Sequence, residues 1–406
     1  MVRTLQGVST AVRCRRVQCG SETEAAPSSG EAPGEIWRPI HATVWGLWSS
    51  QSRAGVAQLA ERQPSKLHVA GSSPVSRSTT LDAVAAVGLR LRASLARTVR
   101  STPTLEADAA ALSRAYRSGS QVPVLADARW AQAYASVRMP ATFAAVARAL
   151  AAGANRLPGF EPHSLLDVGA GSGAAAWAAT AIWPDLETVS LLEREPVVGD
   201  LGRRLAADRA WSWRTGDVLA ADLSEADLVT AGYLLGELPQ DAVDAAVDRM
   251  WAATRGVLAI VEPGSRAGFA RIIGARSRLI DAGAHVAAPC PGDKPCPVAG
   301  SRTAWCHFLA RLDRSPLHRR AKAAERSWED EPFSYVVAAR PQVLADPRPR
   351  VVLGRPRRRP GVVELRICDD GRIETVVMSR RNGPAYRAST DVTWGDALPV
   401  GFRTEG

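Results

Sequence analysis

L-L-D-V-G-A-G-S-G, residues 165–173, decides how the rest of the chain is read. A short apolar run passes into alternating glycines, and helix-forming alanines follow at 174–176. Such a strand–turn–helix lets the backbone approach a ligand closely and leaves the first N–H groups of the helix free to meet it. The pattern repeats outward from this point. T-V-S-L-L-E (188–193), W-S-W-R-T-G-D (211–217), A-D-L-V-T-A-G-Y (226–233) and G-V-L-A-I-V-E-P (256–263) alternate with helical stretches. This alternation predicts an α/β fold built on a parallel sheet.

Three acids narrow the ligand. Glu193 ends the second strand about 20 residues past the glycine turn, where a carboxylate accepts hydrogen bonds from ribose hydroxyls. Asp217, in T-G-D-V-L, is placed to meet an adenine amino group. Asp167 stands directly ahead of the glycines; there it would repel a pyrophosphate but suits a cationic amino-acid end. The set resembles the class I S-adenosylmethionine-dependent methyltransferase pattern more than a nicotinamide one. The resemblance implies a class I methyltransferase-like (Rossmann-like) sheet, with Asp167, Gly169, Gly171, Gly173, Glu193 and Asp217 holding S-adenosylmethionine. The plainer alternative is a doubly wound domain with a glycine turn and surface acids. S-adenosylmethionine carries its own leaving group, so the protein need only place a nucleophile in line and sometimes remove a proton. Y-L-L-G-E-L (233–238) follows the fourth strand, without the Asn/Asp-Pro-Pro-aromatic motif of amino-methylating nucleic-acid enzymes. Glu237 is a candidate base there, although a helix-start residue is the plainer reading.

Bulk properties bound the partners. The chain has 406 residues, 46% of them hydrophobic, enough for one large domain or two ordinary ones. A net charge of +10, mostly from arginine, favours an anionic partner such as nucleic acid, or reflects a GC-rich genome. No apolar run approaches the roughly 20 residues that cross a bilayer, and no secretory signal is recognisable. A cytoplasmic protein without a membrane partner is expected. Six cysteines in so long a chain are not a disulfide framework.

The ends read differently from the middle. Residues 1–80 are expected to be a disordered or spurious extension, since 56–79 resembles a translated transfer-RNA gene and would put the true start near residue 80. Cys14 and Cys19 fall inside it. A helical lead-in is expected over 81–158, with helices near 105–118 and 126–152 and a new helix starting at Pro140. The nucleotide-binding domain covers 159–285, and a cysteine-rich basic segment covers 286–340. A small antiparallel β module follows over 341–406; its strand-like runs begin after Tyr335 with V-V-A-A-R.

Four cysteines remain. Cys290 and Cys296 sit in A-P-C-P-G-D-K-P-C-P, Cys306 in W-C-H-F, and Cys368 in E-L-R-I-C-D-D-G. Proline and glycine would bend the first loop so that two sulfurs face one point. The irregular spacing is unlike the C-x2–4-C pairs of common zinc sites, and by itself leaves zinc and iron–sulfur both open. His307 is a possible additional ligand. Cys290 as a nucleophile is a lesser alternative.

A further set of motifs runs in order: E-P-G-S-R-A-G-F (262–269), the two cysteine motifs, H-R-R-A-K (318–322), E-D-E-P-F-S-Y (329–335) and W-G-D (394–396). Over residues 105–397 the chain resembles the methyltransferase-like family associated with the small ribosomal subunit, with bacterial and mitochondrial members. The resemblance implies a 4Fe-4S cluster on Cys290, Cys296, Cys306 and Cys368; its expected role is structural, with Cys368 tying the β module to the loop. It also implies small-subunit ribosomal RNA, and not DNA, as partner during assembly or translation. Two basic clusters fit that partner: Arg311, Arg314, His318, Arg319, Arg320 and Lys322, then Arg348, Arg350, Arg355, Arg357, Arg358 and Arg359. Expected roles therefore include rRNA methylation. The alternatives are a non-catalytic assembly factor and a small-molecule methyltransferase with structural zinc.

Overall fold

A computed structural model describes residues 74–118 apart from 101 and 103, residues 127–343 and residues 348–398. Of the transfer-RNA-like stretch 56–79, residues 56–73 lie outside the described residues, as do Cys14 and Cys19, whereas 74–79, expected to be disordered or spurious, form the first turns of a helix.

Three helices lead in: α1 (Pro74–Thr98), α2 (Leu105–Ser118) and α3 (Ala128–Ala154). The Asp127 carboxylate caps α3 by accepting the Arg129 N–H at 2.8 Å. Pro140 does not start a new helix; α3 runs through it as a single helix of 27 residues. Met139, Pro140, Ala141 and Thr142 are all buried, and this packing outweighs the backbone bond that proline removes.

The alternation predicted from sequence follows: β1 (Ser164–Val168), α4 (Ala174–Ile182), β2 (Thr188–Glu193), α5 (Pro196–Leu205), β3 (Ser212–Thr215), β4 (Ala226–Gly232), α6 (Val243–Ala252), β5 (Thr254–Pro263) and α7 (Arg266–Asp281). Next come β6 (His285–Ala288), β7 (Phe308–Asp313), the short α8 (Pro316–Ala321) and β8 (Trp328–Ala339). The main sheet is ordered β3-β2-β1-β4-β5-β8-β6, and β7 also pairs with β8. The first five strands are parallel, whereas β8 is antiparallel to β5, β6 and β7. This is a class I methyltransferase-like α/β sheet, with α3, α4 and α5 packed on one face and α6 and α7 on the other.

V-V-A-A-R therefore belongs mainly to β8 of this sheet and not to the small module. Phe333–Ala339 are buried without a break, the pattern of a strand covered on both faces. The module proper comprises β9 (Arg350–Val352), β10 (Arg357–Arg359), β11 (Val362–Asp369), β12 (Arg372–Ser379), α9 (Gly383–Thr390) and β13 (Ala397–Leu398). Its strands pair antiparallel around a core of Val352, Val363, Leu365, Ile367 and Leu398. Val363, Leu365 and Ile367 alternate inward along β11. Cys368 therefore has the opposite parity and belongs to the face away from that core.

Candidate cofactor cleft and thiol centre

β1 delivers Asp167 to the glycine turn, and Gly169, Gly171 and Gly173 all have positive φ (65°, 56° and 91°). An added Cβ at Gly169 would stand 2.7 Å from the Leu234 side chain, so the turn has no room for one. A cavity of about 20 Å³ lies at this turn, lined by Tyr134, Asp167, Gly169, Gly171, Ser172 and Gly232 among others. Asp167 is 1% exposed; its Oδ1 accepts from the Thr230 hydroxyl at 2.8 Å, and its Oδ2 has no hydrogen-bond partner. Burial pushes its carboxyl up to about 7. The lining thus presents a buried acceptor that a cationic group would satisfy.

The other acids are arranged differently. Glu193 accepts from Gly171 N–H at 2.7 Å and from Glu195 N–H at 2.8 Å, so it braces the glycine turn. Asp217 accepts from Leu219 N–H at 2.8 Å and shapes the turn after β3. Glu237 is raised by the atoms crowding its carboxyl and then by the Glu193 charge. Its side chain is nevertheless exposed at the rim, and exposure weighs more because water screens it. Of the two, Asp167 is the acid placed to hold a proton near neutrality.

Sequence reasoning missed the groups around this cavity. Tyr134 and Arg138 share one face of α3 at i, i+4 spacing. Arg138 pairs with Glu331 of β8 at 3.3 Å, and the Tyr233 hydroxyl donates to the same Glu331 oxygen at 2.9 Å. Glu262, 0% exposed, accepts from Leu235 N–H at 2.9 Å and Arg271 Nε at 2.7 Å, fixing the loop after β4. Glu262, Glu331 and Tyr233 lie in motifs legible in the sequence, E-P-G-S-R-A-G-F, E-D-E-P-F-S-Y and Y-L-L-G-E-L, but their pairings join distant elements and could not be read from it.

The thiol centre rises from the edge of the main sheet. β6 ends at Ala288 opposite Val337, and β7 begins at Phe308 opposite Phe333. These positions are four residues apart on β8, about 13 Å at the usual strand rise, so the loop between leaves and re-enters the sheet nearby. Cys290 and Cys306 stand just inside its two feet, and the Ser334 hydroxyl donates to Cys306 O at 2.8 Å. From the module, the turn after β11 meets this loop: Lys294 pairs with Asp370 at 2.7 Å. A Cβ on Gly292 would fall 1.9 Å from the Asp370 carboxylate, so glycine permits this approach.

Cys290, Cys296, Cys306 and Cys368 all line one largely apolar cavity of about 40 Å³. All four are free thiols. Among the described residues, no three Cys, His, Asp or Glu side chains group closely enough to hold a metal ion. Burial pushes the Cys306 thiol well up, with the neighbouring Cys290, Cys296 and Cys368 adding to it. Burial followed by Cys290 and Cys296 pushes Cys368 up to about 12. Two buried arginines support the loop. Arg156 donates to the carbonyls of Ala287, Pro289 and Cys290 at 2.8, 3.0 and 3.2 Å. Arg276 donates to Gly292 O and Lys294 O at 2.9 and 2.8 Å, while its Nε has no partner. His307 instead stacks on Trp305 and meets Trp394 edge-on, with ring centroids 5.4 and 4.9 Å away. Cys290 lines the thiol cavity and not the glycine-turn cavity.

The basic clusters divide. Arg311 is bidentate to Asp330 at 2.7 and 2.8 Å, and its guanidinium lies 4.0 Å from the Trp328 ring centroid. Arg314 and Lys322 converge on Glu329 at 2.6 and 2.7 Å, and together with His318 hold that carboxyl well below its usual range despite burial. Arg348 pairs with Asp293, Arg350 with Asp369 and Glu374, and Arg355 with Asp330. Arg357 pairs with Glu364, and Arg358 donates to Thr390 O and Val392 O. Among the described residues, Arg319, Arg320 and Arg359 are exposed without an ion pair.

The family model described as mitochondrial small ribosomal subunit Rsm22 matches residues 128–399. The chain is 31% identical over 293 residues to human METTL17, a mitochondrial ribosome assembly protein, covering 66% of this chain and 62% of that one. It is 25% identical over 289 residues to the mitochondrial Rsm22-cox11 tandem protein 2 of Schizosaccharomyces pombe, covering 58% of this chain and 38% of that one. The chain thus spans less than two thirds of the length of these relatives. Among solved structures it is similar to magnesium protoporphyrin IX methyltransferase from Synechocystis PCC 6803, at 14% identity and a TM-score of 0.33, covering 58% of this chain and 95% of that one.

Proposed function

The chain belongs to the Rsm22 family of the mitochondrial small ribosomal subunit, and from that premise we propose a methyltransferase-like factor of the small ribosomal subunit that binds S-adenosylmethionine and a 4Fe-4S cluster. One observation carries this reading: a single family match spans both the glycine-turn cleft and all four thiols. In the cleft, Asp167 would take the cationic amino-acid end, with Gly169, Gly171 and Gly173 giving close approach. Glu193 and Asp217 would face the ribose and the base, which requires Glu193 to share its bonds to the glycine turn. The ribosome-assembly role of the human relative supports the partner. Methylation of rRNA is the finer possibility within the same reading.

Cys290, Cys296, Cys306 and Cys368 would hold the cluster. It would supply a structural tie between the main sheet and the module. The chemistry of the donor set fits: four thiols on one cavity, with Cys290, Cys306 and Cys368 each disfavoured by burial as a lone thiolate, beside the cationic Arg276. A 4Fe-4S core takes one thiolate on each iron, which the four thiols on this cavity match in number. Within the two basic clusters, ribosomal RNA would be met first by Arg319, Arg320 and Arg359, because the other arginines of those clusters are engaged within the fold. Among the described residues no helix is long and apolar enough to cross a membrane, and the compartment proposed is that of the ribosome served.

Anaerobic purification with iron, sulfide and zinc analysis tests the centre. Iron and sulfide in equal amounts with visible absorbance are expected; colourless protein with stoichiometric zinc would sink the cluster. Gradient sedimentation of lysate at low salt tests the partner. Co-migration with small subunits or their precursors is expected, and absence from those fractions would refute it.

A further inference from the structure

The residue that follows β4 has no assigned part in holding a cofactor, yet it is strained. Tyr233 has φ +63°, a left-handed conformation that bulky residues rarely adopt. Such a residue persists only where its surroundings over-determine it, and these outliers cluster at functional sites. Here the Tyr233 N–H donates to Val261 O at 2.7 Å, and its hydroxyl donates to Glu331 at 2.9 Å. The Arg138 guanidinium lies 5.0 Å from the ring centroid and 3.3 Å from the same Glu331 oxygen. Gly232, one residue earlier, lines the glycine-turn cavity. Three elements, α3, β4 and β8, are thereby bridged by side chains at the carboxyl end of β4, the side on which open α/β sheets take ligands.

The bridge bears on access. With an amino-acid end at Asp167 on β1 and a nucleoside toward β2 and β3, the remaining approach crosses the ends of β4 and β8. A methyl acceptor must enter in line with the bond that breaks. Tyr233, Glu331 and Arg138 meet one another beside that approach, next to Gly232 of the cavity lining, and Tyr134 stands over Gly171, 3.9 Å from the position of an added Cβ.

We propose that Tyr233, Glu331 and Arg138 form a latch across the acceptor side of the cleft, so that the nucleoside cofactor is retained as a ligand and acceptors are shut out. This rests on the reading of the cleft as an S-adenosylmethionine site. The latch makes the substituted and unsubstituted cofactors, S-adenosylmethionine and S-adenosylhomocysteine, equivalent occupants.

The experiment uses full-length protein purified anaerobically, with Tyr233→Gly, which relieves the strained φ, and Glu331→Gln, which preserves shape. Calorimetry measures S-adenosylhomocysteine binding, stopped flow measures its release, and tritium from S-adenosylmethionine reports transfer to small subunits from a deletion strain. Wild-type protein is expected to bind and to transfer no label. Both variants should release the ligand about tenfold faster, the scale of one charge-assisted hydrogen bond, with near-ultraviolet circular dichroism unchanged. If Tyr233→Gly does not fold, Glu331→Gln alone decides. Label transfer by the wild type, or release at the wild-type rate by a folded variant, overturns the latch while the cofactor reading stands. A wild type that binds no S-adenosylhomocysteine removes the cofactor reading, and the latch with it.

Discussion

The glycine turn itself lies within nine consecutive residues, 165–173, whereas the thiol centre draws on residues 290, 296 and 306 of one loop and on 368 of the second sheet. The acids of the cleft have partners within the sheet: Glu193 accepts from backbone amides, and one Asp167 oxygen accepts from Thr230 of the adjacent β4, leaving the other for a ligand. The thiols have chiefly one another and the ends of a loop. A local site is held by the strand, turn and helix that form it. A dispersed site holds other things together, and its loss is felt as loss of structure.

The sharpest way to break this contrast is Cys306→Ser or Cys368→Ser. Iron and sulfide should be lost and the melting midpoint should fall by roughly 10 °C, the effect of several kcal/mol in a domain of this size. S-adenosylhomocysteine affinity, read by calorimetry, should stay within about threefold if the two regions are separate. An equal collapse of both would show that they are one unit.

Gly169→Ala is the mirror experiment. The positive φ and the Leu234 contact should cost about 1–2 kcal/mol of stability and weaken cofactor binding by roughly 30-fold. Iron content should not change. A variant that binds normally would remove the turn from the cleft.

Proton linkage sharpens the comparison further. The Asp167 carboxyl is pushed from an ordinary 3.8 to about 7 in the fold. The native state therefore holds a proton that the unfolded chain has lost. This contribution to stability is complete below about 4, declines as pH rises toward 7 and is gone above it. A cationic ligand needs the carboxylate, so its affinity runs the other way. Binding of S-adenosylmethionine should weaken roughly tenfold from pH 7.5 to pH 6, with proton release measurable by calorimetry in buffers of different ionisation enthalpy. Asp167→Asn should flatten that profile.

The smallest effects concern the arginines. Arg319→Ala with Arg320→Ala should leave the melting midpoint unchanged, lower RNA affinity by a few-fold and reduce the salt slope by about two. Arg314→Ala should do the reverse, lowering stability because the half-buried Glu329 loses one of the cations that hold it.

The sequence showed the cleft more clearly than the centre, for physical reasons. Period and turn chemistry are local, so β1 to β5 and the glycine turn could be read from neighbours alone. β6 is only four residues long, and the first half of β8, W-E-D-E-P, is polar because it pairs at the edge with β7 alone. Those strands are defined by partners and not by their own pattern. Pro140 misled because burial of its neighbours overrides its usual effect. The arginines misled because a basic run does not reveal which carboxylates the fold will bring to it. Tyr233 and Glu331 are 98 positions apart, and nothing in either neighbourhood foretells the other.

β8 has one more consequence, which concerns the order of synthesis. It lies between β5 and β6 and also carries β7, yet it is the last strand of the main sheet to leave the ribosome. Until residue 339 emerges, β5 has a bare edge and the loop bearing Cys290, Cys296 and Cys306 has no footing. A nascent chain would thus expose three sulfurs and an unpaired strand together, the moment at which delivery of an inorganic core and protection from aggregation are both most needed.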